Sequence, residues 1–517
     1  MAGAVRGAIV LGLSASVAVA DPAFEPVQVP EHVYAGGWEH FVGGGLAAFD
    51  CNGDALPELY AAGGTNPAAL FLNRSQSGGA VHLEVATPEE LALSETTGAY
   101  PLDIDSDGIL DLVVLGVGGS HVLKGQGDCR FAPFDGLGID LGQGWATAFS
   151  ATWEAGRTLP TLAVGNYVDR ADPKGPFEAC DDNLLLRPEG DTYAAPMTLA
   201  PGHCTLSMLF SDWGRHGRSD LRVSNDRHYY VRTGEEQMWA MEKTPRLYGK
   251  DDGWQAYSIW GMGIAERDLN GDGLPEVYLT SMGDQKLQSL KPGATGPTYE
   301  DAHWDIGIAA QRPYVGDDGR ASTGWHVAFG DVQNDGRDDI FVAKGNVEQM
   351  PSTAMRDPNN LLVQAEDGTF DEWGDKAGVA SMARSRGAAM VDLNADGLLD
   401  LAVVNRRAPL EVYRNVTPSE GGWIAVELRQ DGINPFAVGA WIDVRTGERI
   451  QSRQMTVGGG HAGGSLVPEH FGLGPTEEAD LRVTWPDGTV SDWVAVDTSQ
   501  TLRAVRNGAT LTIETGY

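Results

Sequence analysis

The 517-residue sequence predicts an all-β fold: a seven-bladed β-propeller with calcium-binding hairpin loops, followed by a small β-rich C-terminal domain. Three observations predict it. An acidic loop motif recurs at steps of 50 to 63 residues, an apolar run rich in β-formers follows each copy, and the pattern of long amphipathic helices is missing. Internal periodicity on this scale signals a solenoid, a propeller or an array, and seven is a propeller number.

The motif is clearest in "YPLDIDSDGILDLVVLG", Tyr100 to Gly116, where Asp103, Asp105, Asp107 and Asp111 stand at positions 1, 3, 5 and 9. Like charges this close repel, and a bound cation gives a reason to crowd them. Oxygen-only, carboxylate-rich ligation suits calcium, with the position 7 carbonyl free to join. Gly108 at position 6 permits the sharp turn, because a residue without Cβ takes positive φ cheaply. The opening resembles an EF-hand loop, yet position 12 is Val114 in an apolar run instead of a bidentate Glu, so a strand follows and not a helix.

Four further copies keep an acid at positions 1, 5 and 9 and an oxygen-bearing side chain at 3. They are Asp50, Asn52, Asp54 and Glu58; Asp268, Asn270, Asp272 and Glu276; Asp331, Gln333, Asp335 and Asp339; and Asp392, Asn394, Asp396 and Asp400. An Asp/Gly turn needs no acid at position 9, so the recurrence argues for metal, about five Ca2+ in all.

Two more copies are eroded. "FSDWGRHGRSDLRVSND" keeps Asp212 and Asp220 but has Gly214 and His216 at ligand positions, and "ATWEAGRTLPTLAVGNY" keeps only the strand that follows. These units are expected to fold without metal. With them, first positions fall at residues 50, 103, 153, 212, 268, 331 and 392. Each unit would be one four-stranded blade, with the loop joining its first two strands.

The remaining segments frame the propeller. Residues 1–20, with Arg6, an apolar run and a small-residue A-x-A at Ala18–Ala20, read as a secretory signal, so the chain is expected to be secreted, extracellular or periplasmic. No later stretch reaches the ~18 apolar residues needed to span a bilayer. Residues 21–419 read as the propeller and 420–517 as the C-terminal domain, in which "WPDG" (Trp485 to Gly488) suits a tight turn. His461 and His470 lack an arranged partner set and read as structural or surface groups. In an oxidising compartment Cys51, Cys129, Cys180 and Cys204 form two disulfides. Three pairings are open; Cys180 with Cys204, tying off the third-unit insertion, and Cys51 with Cys129, linking the first two blades, are favoured.

The repeated D-x-D/N-x-D-G-x-x-D followed by an apolar strand resembles the FG-GAP or VCBS repeat of integrin-α-like propellers. The segment "GGG…HFGLG…V.WPDG" resembles the ASPIC/UnbV domain, which in the cartilage acidic protein family follows such a propeller. The sequence departs from the pattern that the resemblance implies at Ala462 to Gly474, where a Ser-Gln pair is expected of the family and is not found.

Function is bounded by charge and by missing motifs. The formal charge of −35 includes sixteen ligand carboxylates, and five Ca2+ would bring it to about −25. That acidity argues against nucleic acid or an anionic membrane as partner. There is no G-x-S-x-G elbow, H-E-x-x-H helix, P-loop or CxxC pair. Two classes remain: a monomeric, secreted calcium-binding propeller that recognises an extracellular protein or glycan, or an extracellular, polysaccharide-active enzyme with its site in the funnel. The insert from Asn225 to Gly263 is the candidate recognition surface. Tyr229, Tyr230 and Arg246 are its nominated contacts, and packing between enlarged blades is the other account of its aromatics.

Overall fold

Seven four-stranded antiparallel sheets follow one another along the chain in the computed structural model, which describes residues 20–172, 179–226, 234–316 and 318–515. Their first strands are Leu46–Phe49, Thr96–Leu102, Ala146–Thr152, Thr205–Ser211, Gly261–Arg267, Gly324–Gly330 and Arg384–Val391. Each lies beside the first strand of the next sheet, and the seventh lies beside the first, so the sheets close into a ring. They are blades one to seven, with these strands lining the axis. Six of the seven carry a register shift near their start, which bends the strand where it enters the ring. The signal-peptide segment, residues 1–19, lies outside the described residues.

Ring closure uses a strand that the repeat did not announce. Phe24–Val27 pairs antiparallel with Glu411–Asn415, Phe24 facing Asn415, and becomes the outer strand of blade seven. The beginning and the end of the propeller are thus held in one sheet. Between blades the apolar residues interdigitate; Leu46, Leu59 and Phe71 of blade one pack on Val391, Val404 and Val412 of blade seven. Burying such side chains contributes roughly 1.5–3 kcal/mol each.

The C-terminal segment forms two further sheets. One has the order Glu469–Gly474, Gly422–Arg429, Gln500–Asn507, Thr510–Thr515, with a parallel pair at its centre; the other has the order Arg449–Gln454, Trp441–Thr446, Glu478–Thr484, Val494–Asp497. Alternating residues of both, among them Val426, Ile442, Leu481 and Leu502, share a core that continues into Phe49 and Leu112 of blades one and two. The expected turn is present: Gly488 N–H donates to the Trp485 carbonyl at 2.8 Å, with Gly488 at φ 83°.

The connection from Gln454 to Glu469 enters the ring axis. Its Val457 carbonyl accepts from Ala151 N–H (3.0 Å), Gly460 N–H donates to Ile264 (2.7 Å), the Ala462 carbonyl accepts from Ala99 N–H (3.2 Å), and Leu466 N–H donates to Ala48 (3.0 Å). Backbone therefore meets backbone on four inner strands. The approach is closest where a side chain is missing: a Cβ on Gly98 would stand 1.6 Å from the Ala462 carbonyl oxygen.

Both favoured disulfides are formed. Cys51 in the blade-one loop joins Cys129 of blade two (Cα–Cα 4.7 Å), and Cys180 of the blade-three insertion joins Cys204 at the entry to blade four (Cα–Cα 4.8 Å).

Candidate functional site

Every acidic loop begins one residue after an inner strand, so all of them lie at the same end of the ring. In six loops positions 4 and 6 both take left-handed φ, as at Ser106 and Gly108, Asn334 and Gly336, and Arg215 and Gly217. This double bend turns backbone N–H groups onto the first acid. Asp103 accepts from Asp107 and Gly108 (3.1 and 2.9 Å), and Asp212 of the eroded fourth loop accepts from His216 and Gly217 (2.7 and 2.8 Å). The ninth-position acid ties the loop to the third strand. Asp111 accepts from Ile104 and Gly125 (both 2.9 Å), and Asp400 from Leu393 and Asn415 (3.0 and 2.7 Å). Its recurrence thus has a structural reason beside any metal, and the discriminating ligands are those at positions 3 and 5.

Loop two is the most convergent. Asp103, Asp105 and Asp111 each offer an oxygen within 4.8 Å of the others. Burial pushes Asp103 up to about 6 and Asp111 to about 7, and neighbouring acids add to both shifts. Lys124 meets Asp105 and Asp107 at 2.7 and 2.6 Å from the open side. Desolvation raises the other buried acids likewise: Glu58, Glu276 and Asp331 to about 7, Asp268 and Asp392 to about 6, and Asp339 and Asp400 well above the usual carboxylate range. Crowded, desolvated carboxylates of this kind fit a hard divalent cation, which would supply the missing counter-charge. Positions 1, 3, 5 and 9 and the position 7 carbonyl would hold it. A second convergent set, Cys51, Glu58 and Cys129, offers no thiolate because its cysteines are joined.

The eroded loops satisfy their acids differently. Asp220 takes Arg218 Nε (3.0 Å), Trp213 Nε1 (3.0 Å), the Tyr248 hydroxyl (2.6 Å) and Met241 N–H (2.8 Å). In the third unit Thr161 stands at position 9, and Glu154 accepts from Thr161 (2.6 Å) and Arg187 (2.7 Å).

Residues 430–511 match the family model described as ASPIC and UnbV. The chain carries an ASPIC/UnbV domain. Mouse cartilage acidic protein 1 is 26% identical over 233 residues, which is 44% of this chain and 34% of that protein. Human cartilage acidic protein 1 is 28% identical over 166 residues, 31% of this chain and 25% of that protein, so the match spans about a third or less of either relative. Among solved structures, BBS1N in complex with ARL6DN superposes with a TM-score of 0.42 at 10% identity, over 75% of this chain and 96% of that one.

The ASPIC/UnbV domain docks on the loop-bearing end. Asn434 N–H donates to Ser106 Oγ of loop two (3.0 Å), Arg215 of loop four binds Asp443 (3.1 Å), Gly474 N–H donates to the Asn334 carbonyl of loop six (3.0 Å), and His470 Nε2 donates to the Gly397 carbonyl of loop seven (2.9 Å). His461 rides the segment in the axis. Its Nδ1–H donates to the Met262 carbonyl (3.0 Å), its Nε2 accepts from Gly43 N–H (3.2 Å), and its ring meets Trp325 at 4.9 Å. Burial lowers His461 to about 3 and His470 to about 4, so both are neutral structural groups, as the sequence indicated. The middle of the funnel, the place reserved for an enzyme site, is filled by the chain's own residues.

Of the nominated recognition contacts the structure describes Arg246. Tyr229 and Tyr230 lie outside the described residues. Arg246 sits on the outermost strand of blade four, bound to Glu242 (3.2 Å) and Asp252 (2.9 Å). Trp239 and Trp254 of the same insert are buried between blades, with Trp254 under the Arg222 guanidinium at 5.3 Å, as the packing account holds. The two ends of the insert do reach a cavity at the mouth opposite the acidic loops, through Asp226, Trp260 and Met262. Sequence reasoning missed this cavity because each blade supplies it only a few residues and no linear motif joins them.

Proposed function

We propose that the protein is an exported, extracellular binding module in which about five Ca2+ stiffen a propeller, with residues 1–20 as its signal. The observation that carries the reading is the convergence in loop two of the buried Asp103 and Asp111 with the half-buried Asp105; four other loops repeat the acids at positions 1, 5 and 9 in sequence. Carboxylates that desolvation holds near neutral pKa destabilise the fold when ionised, and calcium relieves this. Two disulfides suit an oxidising compartment. The filled funnel favours surface recognition of a protein or glycan over catalysis on the axis.

Calorimetric titration of chelator-stripped protein with Ca2+ tests the metal. Saturable uptake should fall by one site in Asp105→Asn/Asp107→Asn, and no uptake by the folded wild type would overturn the reading. A glycan array run beside a polysaccharide turnover assay tests the binding role, which turnover without retention would contradict.

A further inference from the structure

The mouth opposite the acidic loops holds a cavity of about 420 Å3, a size that suits a small organic ligand. Its walls are mostly apolar and include Trp38, Trp260, Trp325, Met262, Met282 and Val347, with Trp38 stacked on Phe41 at 4.5 Å. On the axial side Trp325 and Met262 rest on His461, so the segment that fills the funnel backs that wall of the cavity. Such walls suit an apolar or aromatic body. A sugar would leave most of its hydroxyls without partners, because the polar groups of the lining are few: Asp226 paired with Tyr167, and a corner of Glu348, Arg406 and Arg407.

That corner is unbalanced in charge. Glu348 is the only carboxylate that Arg384, Arg406 and Arg407 share: Arg406 Nε reaches it at 2.7 Å, Arg384 at 3.6 Å, and Arg407 makes a close contact. Arg386 lies fully buried behind them, 3.9 Å from the Trp325 ring, and its hydrogen bonds go to the carbonyls of Phe41, Ser385, Asn346 and Val347. The other acid of the lining, Asp226, accepts the Tyr167 hydroxyl hydrogen at 2.6 Å. Arg406 and Arg407 line the cavity with Glu348 and Asp226, while Arg384 and Arg386 stand behind the lining and add positive charge on the Glu348 side. Arg406 is buried and holds the His40, Gly36 and Gly37 carbonyls, whereas Arg407, which donates to the Gly36 carbonyl (2.9 Å) and to Glu348, has its side chain 46% exposed at the rim, where an incoming anion can reach it.

We propose that this mouth binds an amphipathic organic anion, its apolar body between the Trp and Met walls and its acidic group at Arg407. Aromatic faces and thioethers accommodate flat or branched bodies alike, and a guanidinium pairs with carboxylate or sulfonate through two N–H groups. The inference goes beyond calcium binding, since the cavity and the acidic loops lie at opposite ends of the ring.

The probes are 8-anilinonaphthalene-1-sulfonate and its uncharged analogue N-phenyl-1-naphthylamine, titrated by fluorescence into calcium-replete full-length protein. One sulfonate probe per chain should bind at least tenfold more tightly than the neutral analogue. Arg407→Gln should weaken the sulfonate at least fivefold and leave the neutral probe unchanged. Gly37→Trp supplies the blocking variant: Gly37 lines the cavity, its φ is −86° and ψ −141°, and a Cβ there meets nothing within 4 Å, so a side chain has room to start into the cavity, and the melting curve checks that the backbone accepts it. Both probes should be lost from it while the melting curve stays that of the wild type. Equal affinity for the two probes, with Arg407→Gln without effect, would overturn the anion; unchanged probe binding in Gly37→Trp would overturn the cavity.

Discussion

Loop two and loop four share a backbone and differ in electrostatics. Both place left-handed residues at positions 4 and 6, Ser106 and Gly108 in one and Arg215 and Gly217 in the other, and both fold two N–H groups onto the first acid. Both keep the ninth-position acid. At positions 3, 5 and 7, whose atoms would hold a cation, they part: Asp105, Asp107 and Ile109 against Gly214, His216 and Arg218. In loop four the guanidinium of Arg218 and the hydroxyl of Tyr248 neutralise Asp220. Loop four therefore keeps the turn and both anchoring acids without carboxylates at positions 3 and 5, which on the calcium reading are the groups that would serve a cation.

The comparison breaks first if chelation changes nothing. A ligand that binds only the folded state stabilises it by RT ln(1 + [L]/Kd), about 2.7 kcal/mol per site at 100 Kd. With several loops loaded, the melting temperature in EDTA should fall well below that in calcium. Equal melting in both would place loop two in the class of loop four.

The eroded blades should depend instead on their covalent tie. Replacing Cys180 and Cys204 by Ser opens a loop with a sequence separation of 24 and should cost on the order of 3 kcal/mol in urea unfolding. Calcium uptake should be unaffected.

Protons sharpen the contrast next. Without metal, Glu58, Asp111 and Glu276 are raised to about 7, first by burial, so at pH 6 each is largely protonated and calcium must expel those protons. Affinity should fall as pH drops from about 7.5 to 5.5. Titration in buffers of different ionisation enthalpy should count the released protons, and a pH-independent affinity would contradict the shifts.

The smallest effect is a single ion. Gly214→Asp with His216→Asp and Arg218→Leu should convert loop four into a sixth site. The first two changes belong together, because a Cβ at Gly214 would stand 2.4 Å from the His216 ring. His216→Ala alone should add none, and Asp107→Ala should remove one.

Much of this was legible because the repeat writes the geometry locally. First-position residues 50, 103, 153, 212, 268, 331 and 392 each follow the last residue of an inner strand, so the spacing alone delimited the blades. The favoured cysteine pairs were legible for the same reason, since blade neighbours bring them together. The long-range contacts were not. Phe24–Val27 is a four-residue run with Pro26 inside it, and its place in blade seven depends on Glu411–Asn415 at the far end of the ring. The "GGGHAGG" stretch reads as a loop by composition, while its course along the axis depends on Gly45 and Gly98 in two other blades, where any Cβ would strike the Ala462 carbonyl. The mouth cavity draws Trp38 and Trp260 from two connections and Trp325 from the inner strand of blade six, a juxtaposition that only closure of the ring creates.

The most direct measurement is the calcium count of the folded wild-type protein by native mass spectrometry, before and after dialysis against chelator. The account predicts about five ions, all removed by chelator and restored on adding Ca2+. Two or fewer in a folded, calcium-replete sample would contradict it.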